Sequence, residues 1–196
     1  MKQFHGNKFS KHPWMEGVAL SSVCGLAYYA VFLLQTKLSS LVNFAQGIDL
    51  FFAPAGIKLV AFMVAGIWGF WGIAVVGLIT AQDVWQTDTM LIHLGNTAIW
   101  AGVPYVTYLG LAQWLRLDAS LTRLKYWHVL IIALATSLAS SFGSNLYQWL
   151  VQNRSFDMIT SASIAMAVGD FMGIGVFVFA LAFIVRKRSG SNPQRG

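Results

Sequence analysis

The chain has 196 residues, of which 57% are hydrophobic and only 10% charged, with a mean hydropathy of +0.62. Too little polar side chain remains to cover an apolar core with a water-facing surface, so a soluble globular domain is excluded and lipid is the expected solvent. The net charge of +6 comes from basic residues that flank apolar stretches rather than cluster on one face. That distribution argues against a nucleic-acid partner, and the single cysteine, Cys24, excludes an internal disulfide.

Residues 1–14 read as a short basic cytoplasmic tail. The apolar run from Gly17 has the outline of a secretory signal, but it is long and no small-residue cleavage site follows, so an uncleaved first span over 15–39 is expected. Residues 43–53 carry Gln46, Gly47 and Asp49 and read as an outer loop. The apolar stretch 54–82 fits either one long helix or two short ones hinged around Gly66, Trp68 and Gly69. Charge decides for two, over 54–66 and 68–82. Only an even number of spans keeps Lys2, Lys8 and Lys11, the Arg116, Arg123 and Lys125 loop, and Arg186, Lys187, Arg188 and Arg195 on the same, cytoplasmic, side. Each short helix is near or below the usual minimum for a span, so tilt or a partly re-entrant segment at 51–56 is expected. Further spans follow over 89–115, 126–151 and 158–185, and residues 186–196 form a basic tail.

The expected fold is therefore all-α: a polytopic bundle of about six transmembrane helices with both termini cytoplasmic. Outer connections then hold Asp49, Asp83, Asp88, Arg154 and Asp157. Trp14, Trp68, Trp71, Trp114 and Trp127 fall at inner span ends and Trp85 and Trp149 at outer ends, as expected of indoles at the headgroup level; Trp100 is mid-span.

Polar groups inside the spans are the candidate sites. Asp170 lies about 12 residues into the last span, where a carboxylate costs about 2.5–3.5 kcal/mol, so it is expected to face the bundle. It reads either as a ligand contact or proton-sensitive switch, or as an interhelical anchor with Gly169 and Gly173 admitting a neighbouring helix. Lys58, four residues after Pro54, is expected to snorkel outward to the headgroups. The sharper alternative pairs it with Asp170, which requires 51–56 to dip into the membrane.

On the fourth span His93, Asn96 and Trp100 share a face, and Pro104 frees the carbonyl of Trp100. Ser137, Ser141, Ser144, Asn145 and Gln148 form a stripe on the fifth, whose serines read as close packing. Asn145 and Gln148, with His93 and Asn96, are candidates for a pocket opening outward. Gly17, Ser21, Cys24, Gly25 and Tyr28 make a small face read as packing. No paired-histidine metal spacing, phosphate-cradling loop or activated nucleophile is present, so no enzyme, metal or cofactor is expected.

Three stretches, FFAPAGIKLVAFMVAG at 51–66, HLGNTAIWAG at 93–102 and VGDFMGIGVF at 168–177, are similar to the first class of bacterial membrane-associated sensor domain, the MASE type. The LTRLKYWHVL stretch at 121–130 also resembles the basic lead into that family's next helix. The resemblance covers most of the chain from the first span onward and matches Pro54, Ala55, Gly56, Gly95, Asn96, Thr97, Gly169, Asp170 and Gly173. Two positions depart from it: Ala53 stands where a first proline is frequent, and Lys58 where an apolar residue is usual. The resemblance implies a sensor of the bacterial inner membrane. With no output domain after Val185, the expectation is a sensory or ligand-binding subunit that signals through a partner protein, with a small-molecule ligand or a homo-oligomer as further associations. The alternative is the substrate-capture component of a vitamin-type transporter.

Overall fold

The computed structural model describes residues 13–45, 48–85, 89–118, 124–152 and 156–190. Of the residues used above, Lys2, Lys8, Lys11, Gln46, Gly47, Asp88, Arg123, Arg154 and Arg195 lie outside that set. Among the described residues six helices carry the fold: α1 (Pro13–Val42), α2 (Pro54–Ala65), α3 (Ile67–Trp85), α4 (Met90–Trp114), α5 (Tyr126–Gln152) and α6 (Phe156–Gly190). Between α1 and α2 two very short strands, β1 (Asn43–Ala45) and β2 (Ile48–Asp49), pair antiparallel as an irregular hairpin. This ribbon occupies the region expected as a loop and adds no sheet layer.

The chain is a helical membrane bundle, apolar outside, with buried polar side chains set among an apolar core. Stretches long and apolar enough to cross a bilayer run over Trp14–Lys37, Tyr126–Val151 and Ile159–Leu181, with shorter apolar helices over Pro54–Ala65 and Ile67–Ala81. On α5 the leucines Leu134, Leu138, Leu146 and Leu150 face outward, whereas Ser137, Ser141, Ser144, Asn145 and Gln148 are buried. Water as solvent would reverse that arrangement; lipid requires it.

Close approaches at small residues set the helix directions. A Cβ on Gly17 would fall on the Trp68 ring and one on Gly72 on the Ser21 carbonyl, while Gly25 lies against Gly72 and Val76. Residue numbers rise together along these contacts, from Gly17 and Trp68 through Ser21 and Gly72 to Gly25 and Val76, so α1 and α3 run parallel. Gly95 meets Tyr147, and Gly143 meets Ile99 and Val103, so α4 and α5 run antiparallel. Asn145 reaches Met166, and Ser137 shares a cavity with Ile174, so α5 and α6 also run antiparallel. Pro13 and the far end of α6 therefore mark the same end of the bundle. Trp14, Trp68, Trp71, Trp114 and Trp127 gather there, with Trp14 and Trp68 edge to face at 6.2 Å.

The break between α2 and α3 falls at Gly66, which adopts φ 54° and ψ −125°, a region natural to glycine. Several boundaries differ from expectation. α1 extends over Pro13–Val42 rather than 15–39, α3 runs on to Trp85 and takes in Asp83, and α6 starts at Phe156, takes in Asp157 and continues as helix to Gly190, through residues expected as a tail. Arg186, Lys187 and Arg188 are good helix formers and carry the last turns past the apolar stretch.

Candidate functional site

The site begins with the way the chain enters α2. The Phe52 N–H donates to the Gly169 carbonyl at 3.0 Å. A Cβ on Gly169 would strike the Asp49 carbonyl, and one on Gly173 the Phe52 carbonyl. Asp170 lies between these glycines at the midpoint of the apolar stretch Ile159–Leu181, so the segment 49–53 reaches the middle of that stretch. Irregular backbone is tolerated at such depth only where protein buries it. The GxxxG of α6, expected to admit a helix, admits this irregular segment as well, the Asp49 and Phe52 carbonyls lying where side chains on Gly169 and Gly173 would stand. Gly56, one turn further, then packs α2 against Gly173 and Phe177.

From the opposite side α1 clamps the same segment. Gln35 Nε2 donates to Asp49 Oδ2 and to the Phe51 carbonyl, both at 2.8 Å, and its Oε1 accepts from the Ala53 N–H at 3.3 Å. Pro54 opens α2 fully buried, where its missing N–H leaves no donor unsatisfied. Starting at this depth, α2 needs only 12 residues to reach the other end of the bundle, about 18 Å at 1.5 Å per residue.

This geometry turns Lys58 inward. Only 4% exposed, it does not snorkel, since α2 begins too deep for its stem to reach headgroups at the near end. Its Nζ sits 4.3 Å from the centre of the Trp100 ring and donates to Ser140 Oγ at 3.5 Å. Asp170, 2% exposed, interacts electrostatically with Lys58 and with Tyr28 of α1. No ammonium–carboxylate contact within 4.0 Å joins Lys58 and Asp170 among the described residues. Instead both line one small cavity, with Phe62, Pro104, Thr136 and Ser137. Its volume open to water centres is about 10 Å³, room for about one water.

Above the cavity the expected pocket residues form a column. On α4, His93 Nε2 and both amide atoms of Asn96 are buried with no hydrogen-bond partner. On α5, Ser137, Ser141 and Ser144 and the Oε1 of Gln148 are likewise unpartnered, as is Ser163 on α6. Asn145 is partly satisfied, donating to the Ser141 carbonyl at 2.9 Å and lying 3.8 Å from the sulfur of Met166. An unpaired buried polar atom costs about 1–3 kcal/mol.

The structure thus brings Lys58 and Asp170 together at the cavity, sets Trp100 against the Lys58 ammonium, and buries His93 and Asn96 on α4 and Asn145 and Gln148 on α5. Gly95 serves α4–α5 packing against Tyr147. Tyr28, Gln35, Ser140 and Ser163 were not singled out as site residues. A signal existed for three of them: Tyr28 and Gln35 are seven residues apart on one face of α1, and Ser163 stands seven before Asp170 on α6.

Comparison with protein families, curated proteins and solved structures gives no match. The fold and its buried polar groups define a helical membrane bundle with a buried charged site.

Proposed function

We propose that this chain is a multi-pass sensory subunit of the bacterial inner membrane, with six spans and cytoplasmic ends, that signals through a partner protein. One observation carries the reading: a lysine and an aspartate, both buried at mid-depth, face one cavity without a direct ion pair. Buried charges that lack direct pairing are a poor way to stabilise a fold, and ionisable groups within membrane spans mark functional sites by default. The arrangement suits a switch. A small change in the cavity alters how Lys58 and Asp170 see each other, and thereby how α2 seats on α6.

The output path in this reading is α6. It passes from Asp170 out of the apolar stretch at Leu181 and stays helical to Gly190, roughly 13 Å further at 1.5 Å per residue. The likeness of 51–66, 93–102 and 168–177 to membrane-associated sensor domains points the same way. The capture-subunit alternative asks for a pocket of roughly 300 Å³ or more for an organic ligand, whereas the cavity beside Asp170 has room for about one water.

The test is affinity purification of the tagged chain and of its Asp170→Asn variant from native membranes in mild detergent, followed by mass spectrometry. Recovery of a kinase, cyclase or comparable signalling protein, with its output altered by the variant, supports the proposal. Recovery of an ATPase module with a retained metabolite overturns it in favour of transport.

A further inference from the structure

We infer that the polar column between α4, α5 and α6 is a hydrated track, bringing water and the protons it relays from one end of the bundle to the carboxyl of Asp170. In this inference its mouth is the end where α4 begins and α5 ends, next to the buried His93, Gln148 and Ser163. It continues past Asn96 and Ser144 and closes at the cavity shared by Ser137, Lys58 and Asp170. On α5 the unpartnered hydroxyls and amide repeat at positions 137, 141, 144 and 148, a single face about 16 Å long at 1.5 Å per residue.

Serines alone would signify only close helix packing. The amide of Asn96, 1% exposed, and that of Gln148, 2% exposed, decide otherwise. Both retain unpartnered polar atoms deep in the bundle, and native proteins rarely leave such atoms unpaired. Water satisfies them where the chain does not, provided the site is polar and roomy enough for one molecule; the cavity at the column's foot has room for one, and its mostly apolar wall includes Lys58, Thr136, Ser137 and Asp170. Tyr28 of α1, Lys58 of α2 and Asp49 of the segment on Gly169 are the other ionisable groups around Asp170. α5 presents only hydroxyls to it. The track therefore ends at the cavity that the Asp170 carboxyl shares with the Lys58 ammonium. This inference goes beyond the sensory role and stands or falls without it, because hydration is a property of the chain alone.

Met166 reports on the track. It is buried, and its sulfur lies beside Asn145; Met172, two turns on, faces outward and is half exposed to lipid. X-ray radiolysis of the full chain in lipid nanodiscs generates hydroxyl radicals from water in place, and mass spectrometry reads methionine oxidation. A hydrated track oxidises Met166 severalfold faster than Met172. Ser163→Leu, which plugs the mouth, slows Met166 severalfold and leaves Met172 unchanged, and Gln148→Leu serves the same purpose if the first variant does not fold. Met166 as protected as Met172 in the unmodified chain overturns the inference, as does labelling indifferent to a folded plug variant.

Discussion

The ammonium of Lys58 lies 4.3 Å from the ring centre of Trp100, so a cation on α2 is held against an aromatic face on α4 while its counter-charge, Asp170, stands on α6. With Ser140 of α5 accepting from the same ammonium, four helices meet at one charge. A cation over indole in a desolvated site is worth about 2 kcal/mol or more. Trp100→Leu should therefore lower stability by about 2 kcal/mol in reversible detergent unfolding, and the same substitution on a Lys58→Met background should cost clearly less.

Lys58 and Asp170 should behave as one unit despite the cavity between them. Lys58→Met or Asp170→Leu alone leaves one buried charge uncompensated and should cost about 3–5 kcal/mol. The double variant should recover at least half of the larger loss. Losses that simply add would show that the two groups act independently.

Gly169 and Gly173 should tolerate no side chain, because the Asp49 and Phe52 carbonyls occupy the space a Cβ would take. Gly173→Val should abolish folding or cost more than about 3 kcal/mol. Gly175→Ala, on the same helix with nothing within 4 Å of an added Cβ, should leave the melting temperature unchanged or raise it. Equal effects at the two positions would refute the docked segment.

Gln35→Leu should free the segment 49–53 from α1. Three hydrogen bonds are lost, for about 2–3 kcal/mol in total. Amide hydrogen exchange at Leu50 to Ala53 should accelerate more than exchange in α5.

Gly66→Ala tests the hinge between α2 and α3. No neighbour obstructs a Cβ there, so the expected cost of about 2 kcal/mol is purely conformational, set by the positive φ. Gly102→Ala, in the open interior of α4, should instead stabilise by up to about 1 kcal/mol.

Much of this architecture is legible in the sequence, for definable reasons. Composition dictates the solvent, and a carboxylate within an apolar run has nowhere to go but inward, so Asp170 declares itself. The α5 stripe is visible because helical spacing puts its polar members on one face. Lys58 misleads because four residues from a helix start normally means close to the headgroups. Here the helix starts deep, and what draws it there is a pair of glycines in α6. Gln35 is hidden for the same reason: a lone amide near the end of an apolar helix looks peripheral until the segment it clamps is seen.

The docking of Phe52 on Gly169 also constrains biogenesis. During synthesis the segment 49–53 emerges long before α6 exists, and the Phe52 N–H can find the Gly169 carbonyl only once the last helix is in the bilayer. Polar backbone stranded in hydrocarbon is costly, so the segment has reason to wait at the membrane surface until the final helix arrives. Lys58 then leaves water in the same movement that seats the backbone. Assembly of the charged core is in this sense a closing step, and a truncation that removed α6 would be expected to leave Lys58 within reach of an aqueous amine-reactive reagent.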